Sequence, residues 1–277
     1  MLLKLSIDKG IPTIYESHNF LLHNKSYLLD KFWKNILMRY SSSKKLVKFI
    51  TISQALADFW SKAGIPRDKI LALHDGFNSE KFKKNKSQQE ARCHLNIPID
   101  KKVIVYSGRL YDDRKPERLI KLAEIFSSVL FIVIGGPEDK KATLKKISLE
   151  RNVQNILWIG QVFHSMVSDY LFAADILLMI WSSKVPTINY FSSLKMFEYM
   201  AAGRVIVGHA YPTVKEVLQD GISAYLADPD SFNELVEKID QALLEEYPSN
   251  IASNARKLAF EDYSWSSRAS KIISIIN

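Results

Sequence analysis

From residue 103 to 228 short apolar runs alternate with helical patterns, and this alternation limits the chain to few folds. The runs "VIVYSG" (103–108), "LFIVIGG" (130–136), "ILWIG" (156–160), "ILLMI" (176–180), "VIVG" (205–208) and "AYLAD" (224–228) read as strands buried on both faces. Between the first two, Leu119, Leu122, Ala123 and Phe126 keep the i, i+3, i+4, i+7 spacing of one buried helical face. Six such strands with intervening helices predict a doubly wound parallel α/β sheet, a fold that takes its ligand at the carboxyl ends of the strands. Gly108, Gly135, Gly136, Gly160, Ser182 and Ser183 fall at those ends.

The first hundred residues repeat the alternation in shorter form. Strands are expected at 11–17, 48–53 and 69–76, with helices near 26–40 and 54–63. The polar stretch 77–102 reads as an interdomain connection. The expected organisation is a partial N-terminal α/β domain over 1–80, a linker over 81–102 and a Rossmann-like domain over 103–277. The last helix would be able to pack back on the N-terminal part. No fixed-period repeat or low-complexity tract interrupts this.

Composition narrows the class. One cysteine, Cys93, leaves no intramolecular disulfide and no thiolate metal site. No run reaches the ~18 apolar residues of a membrane span, and "MLLKLSIDKGIPT" is too short and interrupted for a signal peptide. A cytoplasmic protein is expected. The formal charge of +8 suits either a solvated lysine surface or an anionic partner. The basic residues are not interleaved with a nucleic-acid reader fold, so no nucleic-acid partner is expected.

Two segments carry the chemistry. "SGRLYDDRK" (107–115) leaves a strand through Gly108 and sets Arg109 and Lys115 at the mouth of the sheet. Glycine lets a backbone approach, arginine offers a planar fork and lysine a point charge, a set that suits a diphosphate. Two solvated cations are the alternative. In "YFSSLKMFEYMAAGRVIVG" (190–208) the only carboxylate is Glu198. Burying it unpaired would cost several kcal/mol, so it needs a partner or a ligand. Ser192 or Ser193 suits an N-cap, and the helix start is a ready anion site. Glu198, one turn in, could then accept hydrogen bonds from a ribose diol. "DPD" (228–230) has metal-site spacing, but the "SFNE" that follows (231–234) reads as a helix cap and makes it a turn. Asp112 and Asp113 are read as solvated, and no Gly-x-Gly-x-x-Gly or Walker loop is present.

In order, "PTIYESHN", "FITISQALADFWSKAGIPRDKILALHDGFN", "SGRLYDDRKPERLIKLAEIF", "VIGGPED", "ILWIGQVFHSMVSDYLFAADILLM" and "SSLKMFEYMAAGRVIVGHAYPTVKEVLQDGISAYLADPDS" resemble the family 4 glycosyltransferases, retaining enzymes of the two-Rossmann GT-B fold. The resemblance covers nearly the whole chain. It implies a nucleotide-diphosphate-sugar donor, no metal or other cofactor, and a glycan or lipid-linked acceptor. It implies that Arg109 and Lys115 hold the donor diphosphate, that Glu198 binds the ribose, and that Gly160, Gln161 and Val162 run beside the base. Gly108, Gly136, Ser193, Leu194 and Lys195 complete the implied donor site, and His18 of the first domain lies near the transferred sugar. Tyr190 stands where relatives carry the first glutamate of an E-x7-E pair. Family members also begin with further strands, so the N-terminal domain reads as a shortened half. A non-catalytic donor-binding or scaffold subunit is the rival reading.

Residues 20–49 hold seven Lys or Arg and one acid, with Leu29, Phe32, Trp33, Ile36 and Tyr40 on one helical face. This suits an anionic membrane surface, peripheral on the cytoplasmic face, or equally a core-facing helix. A three-strand sheet leaves an edge unpaired, and a second copy or a partner chain is expected to cover it.

Overall fold

The strands expected in the first hundred residues form a parallel sheet of their own. The computed structural model describes residues 2–20, 27–83 and 86–276. Strands β1 (Thr13–Ser17), β2 (Leu46–Thr51) and β3 (Ile70–Ala72) lie in the order β1-β2-β3, so β1 and β3 are the edges. Leu46, Phe49, Ile52, Leu56, Trp60 and Ile65 are its buried centre. The helix Gln54–Lys62 starts at Ser53, whose hydroxyl accepts the Leu56 N–H at 3.1 Å and donates to the Tyr190 carbonyl at 2.8 Å. Trp60 donates its indole N–H to Ser17 Oγ at 2.9 Å, which satisfies the polar end of a fully buried ring.

The smaller unit draws on three separate stretches of the chain. It comprises residues 1–76, 189–192 and 265–277. An additional helix, Leu2–Asp8, packs Leu3 and Ile7 against its core and carries a Lys4–Asp8 ion pair at 2.6 Å. The i, i+4 spacing of those two apolar residues is a helical signal that the short run concealed.

The basic segment forms the helix Tyr27–Ser41, and residues 21–26 lie outside the described residues. Its inward face differs from the expected stripe. Leu37 is buried and Met38 packs on the core, whereas Leu29 and Phe32 of the stripe, with Leu28, face outward. Asp30 is buried because Lys34, one turn on, pairs with it at 2.8 Å.

The larger unit comprises residues 77–188 and 193–264. Its strands are β4 (Val103–Ser107), β5 (Leu130–Ile134), β6 (Ile156–Gly160), β7 (Ile176–Met179), β8 (Val205–His209) and β9 (Tyr225–Ala227). All are parallel, in the order β6-β5-β4-β7-β8-β9. Every residue of β5, β7 and β8 is buried, as a sheet covered on both faces requires. The strand order reverses between β4 and β7, and the crevice of a doubly wound sheet opens there. Ser231 caps the helix Phe232–Leu243 by accepting the Glu234 N–H at 3.2 Å, so Asp228 and Asp230 belong to a turn.

The expected linker is corrected. Residues 84–85 lie outside the described residues, but the rest of 77–102 belongs to the larger unit and holds the helix Gln88–Leu95. Ser87 and Glu90 form a capping box at its start. Arg92 is buried because its guanidinium donates to the carbonyls of Ala173, Ile99 and Lys101 and pairs with Asp175 at 2.7 Å. A charged residue serving as a satisfied core group is what made this stretch look like a solvated connection. The helix Trp265–Ile273, at the end of the expected second domain, belongs to the smaller unit.

Candidate functional site

The carboxyl ends of β4, β5 and β6 are laced together through their glycines. Gly108 N–H donates to Ile134 O at 2.9 Å, Gly135 N–H to Gly160 O at 2.8 Å and Leu110 N–H to Gly136 O at 2.8 Å. A Cβ on Gly135 would lie 1.8 Å from Gly108 O, and its φ is +134°. Only glycine fits there, and the crowding fixes where the chain leaves β4.

Arg109 follows at once and is exposed, its guanidinium 5.9 Å from the Tyr111 ring centre. Lys115 ends a single turn, Asp112–Arg114, in the left-handed conformation at φ 50°. A lysine held in that region is strained, a pattern that gathers at functional positions. Of the two acids between them, Asp113 differs from expectation. Asp112 is exposed and pairs with Lys140 at 2.8 Å, but Asp113 is half-buried, 3.9 Å from Arg114.

The helix Leu194–Ala202 begins beside β4. Ser193 is its N-cap but makes no side-chain cap bond, and Ser192 Oγ instead accepts the Asp75 N–H at 2.9 Å. Leu194 is exposed. Lys195 and Tyr199, one turn apart, both address the last residue of β4. Lys195 Nζ donates to Ser107 O at 3.3 Å, and Tyr199 OH accepts the Ser107 N–H at 2.8 Å. The Lys195 ammonium stands 4.5 Å from the Tyr106 ring centre and 4.8 Å from that of Trp181, which follows β7. It therefore sits at the reversal point of the sheet. Burial, helped by Arg114, pushes its pKa down to about 7. The two ring faces act in the opposite sense, since they attract a cation. Behind it, buried His209 is pushed down to about 4 by burial and accepts the Trp181 N–H at 3.1 Å.

Glu198 has a partner that the sequence did not reveal. His164 Nε2 lies 3.0 Å from Glu198 Oε1, and His164 Nδ1 is hydrogen-bonded to Lys81 Nζ. An ammonium can only donate, so Nδ1 accepts and Nε2 carries the proton given to the carboxylate. Burial raises the Glu198 pKa, while His164 and Lys81 oppose that rise. Next to His164, an open cavity of about 400 Å³ is lined by Gln161, Val162, Phe163 and Met166. The Gln161 side chain covers Gly136, where an added Cβ would lie 3.2 Å from it.

Gly108, Arg109, Lys115, Gly136, Gln161, Val162, Ser193, Leu194, Lys195 and Glu198 thus all belong to the larger unit, on loops and helix starts at one end of its sheet. His18 and Tyr190 belong to the smaller unit. Tyr190 is buried, donates its hydroxyl to Asn19 Oδ1 at 2.9 Å and packs edge-on against Phe20. His18 Nε2 lies 2.7 Å from Glu16 Oε1. Sequence reasoning passed over Glu16, Lys81, Asp75, His164, Tyr199 and Arg268. The i, i+2 spacing of Glu16, on β1, with His18 just beyond it and the i, i+4 spacing of Lys195 and Tyr199 on a helix are the signals that point to two of them.

Residues 87–258 match the family described as "Glycosyl transferases group 1". The chain is 27% identical over 237 residues to the lipopolysaccharide 1,2-N-acetylglucosaminetransferase of Salmonella typhimurium, covering 81% of this chain and 60% of that protein. It is 21% identical to the D-inositol 3-phosphate glycosyltransferase of Streptomyces scabiei, covering 94% of this chain and 61% of that one. It therefore spans about 60% of the length of these curated relatives. Among solved structures, Anabaena HepE in complex with UDP and glucose superposes with a TM-score of 0.75 at 19% identity, over 99% of this chain and 73% of that one. Sucrose-phosphate synthase from Thermosynechococcus elongatus gives a TM-score of 0.75 at 17% identity, over 99% and 69%. These likenesses carry the GT-B-like fold, with its six-strand Rossmann-like sheet, and the family match spans more than half the chain. The chain belongs to the group 1 glycosyltransferases, the GT4 family of GT-B fold.

Proposed function

We propose that this chain binds a nucleotide-diphosphate sugar and transfers the sugar, with retention of configuration, to a glycan or lipid-linked acceptor. The observation that carries the reading is that three cations belong to the exit of β4: Arg109 and Lys115 follow it in the chain, and Lys195 donates to its last carbonyl. Arg109, Lys115 and the free N–H groups after Ser193 stabilise the charge that develops on the departing diphosphate, normally a large term in transfer chemistry. Glu198 takes the ribose hydroxyls, and the cavity at Gln161 and Val162 takes the base. The family's favoured course has the acceptor attack on the face the diphosphate leaves, with a donor phosphate oxygen taking its proton. No protein nucleophile is assigned, and no metal is required. The family resemblance assigns His18 and Tyr190 a part toward the transferred sugar.

UDP-glucose is the first donor to test, because HepE is solved with UDP and glucose. Calorimetric titration of UDP, UDP-glucose and other nucleotide sugars, followed by donor hydrolysis, tests the reading. Absence of binding by any nucleoside diphosphate would sink it.

The open edges of the three-strand sheet favour a second reading, a donor-binding or scaffold subunit that a partner completes. Among the described residues the outer edges of β1 and β3 pair with no strand, and a second copy or another chain would cover one of them. Donor binding without hydrolysis or transfer, restored by a partner, separates this from the first. The outward Leu28, Leu29 and Phe32 on a basic helix support peripheral contact with an anionic membrane. Among the described residues no helix is long and apolar enough to cross one.

A further inference from the structure

Three segments of the smaller unit meet at His18. Glu16 and His18 stand two residues apart at the end of β1, and His18 Nε2 lies 2.7 Å from Glu16 Oε1. The same carboxylate oxygen accepts from Arg268 Nη2 at 2.7 Å, while Nη1 lies 3.4 Å from Oε2. Arg268 comes from the helix Trp265–Ile273, 252 residues later in the chain. It is buried, and it is anchored just beyond β3 by donating Nε to His74 O at 3.0 Å and Nη2 toward Leu73 O at 3.5 Å. His18 itself is exposed. Asp75 closes the group: one ligand atom from each of Glu16, His18 and Asp75 lies within 4.8 Å of the others. Such a trio has the donor types of a metal site. Here, however, the guanidinium already occupies Glu16, which makes the carboxylate a poor cation ligand and a good fixed hydrogen-bond acceptor.

We propose that Arg268 is a positioning residue for His18, acting through Glu16. The guanidinium fixes the carboxylate, and the carboxylate fixes the imidazole with Nε2–H as donor. Nδ1 is then the nitrogen left to exchange a proton. The other titratable groups of the cluster are Asp75, whose carboxyl burial pushes up, and His74. A role of His18 in sugar transfer rests on the function proposed above; the coupling of Arg268 to His18 does not.

Ring nitrogen NMR of the full chain tests this, with His18→Asn to assign the signal. The parent is expected to show the Nε2–H tautomer, and Glu16→Gln and Arg268→Gln are each expected to move the His18 Nδ1 and Nε2 shifts away from it. Signals of the other histidines, which a general loosening would move as well, should stay in place. If Arg268→Gln does not fold, Arg268→Lys takes its place: it keeps the charge, loses the fork, and should change the Nδ1 and Nε2 chemical shifts of His18. An unmoved His18 signal in folded Glu16→Gln and Arg268→Gln variants overturns the proposal. Donor hydrolysis by His18→Ala is the separate arm. Unchanged hydrolysis there would remove His18 from the reaction while leaving its coupling to Arg268 intact.

Discussion

Glu198 and His164 stand 3.0 Å apart, with the imidazole proton directed at the carboxylate by Lys81 on its far side. A largely buried carboxylate is thereby kept from being isolated, and its folded-state pKa still lies above its usual value. The folded chain therefore holds the Glu198 proton more tightly than the unfolded chain does. The associated stability is present at acid pH and is lost as pH rises through the folded pKa. Glu198→Gln should accordingly melt higher than the parent at neutral pH, with the gap closing on acidification. The same variant should bind nucleoside diphosphate more weakly and spare free pyrophosphate. Thermal melts across pH, paired with calorimetry, check both halves.

Removing Arg109 or Lys115 should cost binding and not folding, since neither side chain is part of the core. Each alanine variant is expected to lose about 1.5–3 kcal/mol of nucleoside-diphosphate affinity, the range for a charge-assisted bond. Unchanged affinity in both would place the diphosphate elsewhere.

Lys195 gives a pH signature of its own. Its folded-state pKa of about 7 lies below the ordinary 10.5, so between these values the unfolded chain binds the extra proton. Parent stability should rise with pH across that window, at a limiting ~1.4 kcal/mol per pH unit. The attraction of Tyr106 and Trp181 for the ammonium lowers that slope. Lys195→Met should lack the rise altogether, which urea unfolding at several pH values above neutrality would show. Parallel curves for the two proteins would mean that Lys195 stays charged in its aromatic enclosure.

Gly135→Ala should be far worse tolerated than Gly221→Ala. Both positions have positive φ, at 134° and 70°, but a Cβ at Gly221 meets nothing within 4 Å whereas one at Gly135 collides with Gly108 O at 1.8 Å. The expected cost at Gly221 is the backbone penalty of about 1–2 kcal/mol. At Gly135 crowding adds about 1–3 kcal/mol more, and relief by displacing Gly108 and Arg109 would weaken nucleotide binding. Urea midpoints rank the two.

Leu28 and Phe32 are 76% and 54% exposed, so replacing both with serine should leave stability nearly untouched. Binding to anionic vesicles, measured by co-sedimentation, should fall, and salt should weaken it in the parent. Equal sedimentation of parent and variant would take this helix off the membrane.

Burial decided how much of this could be read in advance. β5, β7 and β8 were legible because a strand covered on both faces is written as an unbroken apolar run. The exits of β4, β5 and β6 were legible through their glycines, and with them the positions of Arg109 and Lys115. The helix Gln88–Leu95 was not, because Arg92 is satisfied in part by the distant Ala173 carbonyl and Asp175 carboxylate. Nor were the pairing of Glu198 with His164 and the enclosure of Lys195 between two rings. Each depends on residues brought together by topology rather than by spacing. Only three residues of β3 are strand, all half-buried, and the expected run at 69–76 overstated it.

The Arg268 clamp also has a meaning in time. A chain made from its amino end exposes Glu16 and His18 long before Arg268, 252 residues later, leaves the ribosome. At usual elongation speeds that interval is roughly 13–50 s. During it the first strands are present while the carboxylate lacks its guanidinium. The nascent chain thus carries an unfinished smaller unit, an early client for chaperones, until Arg268 has been added.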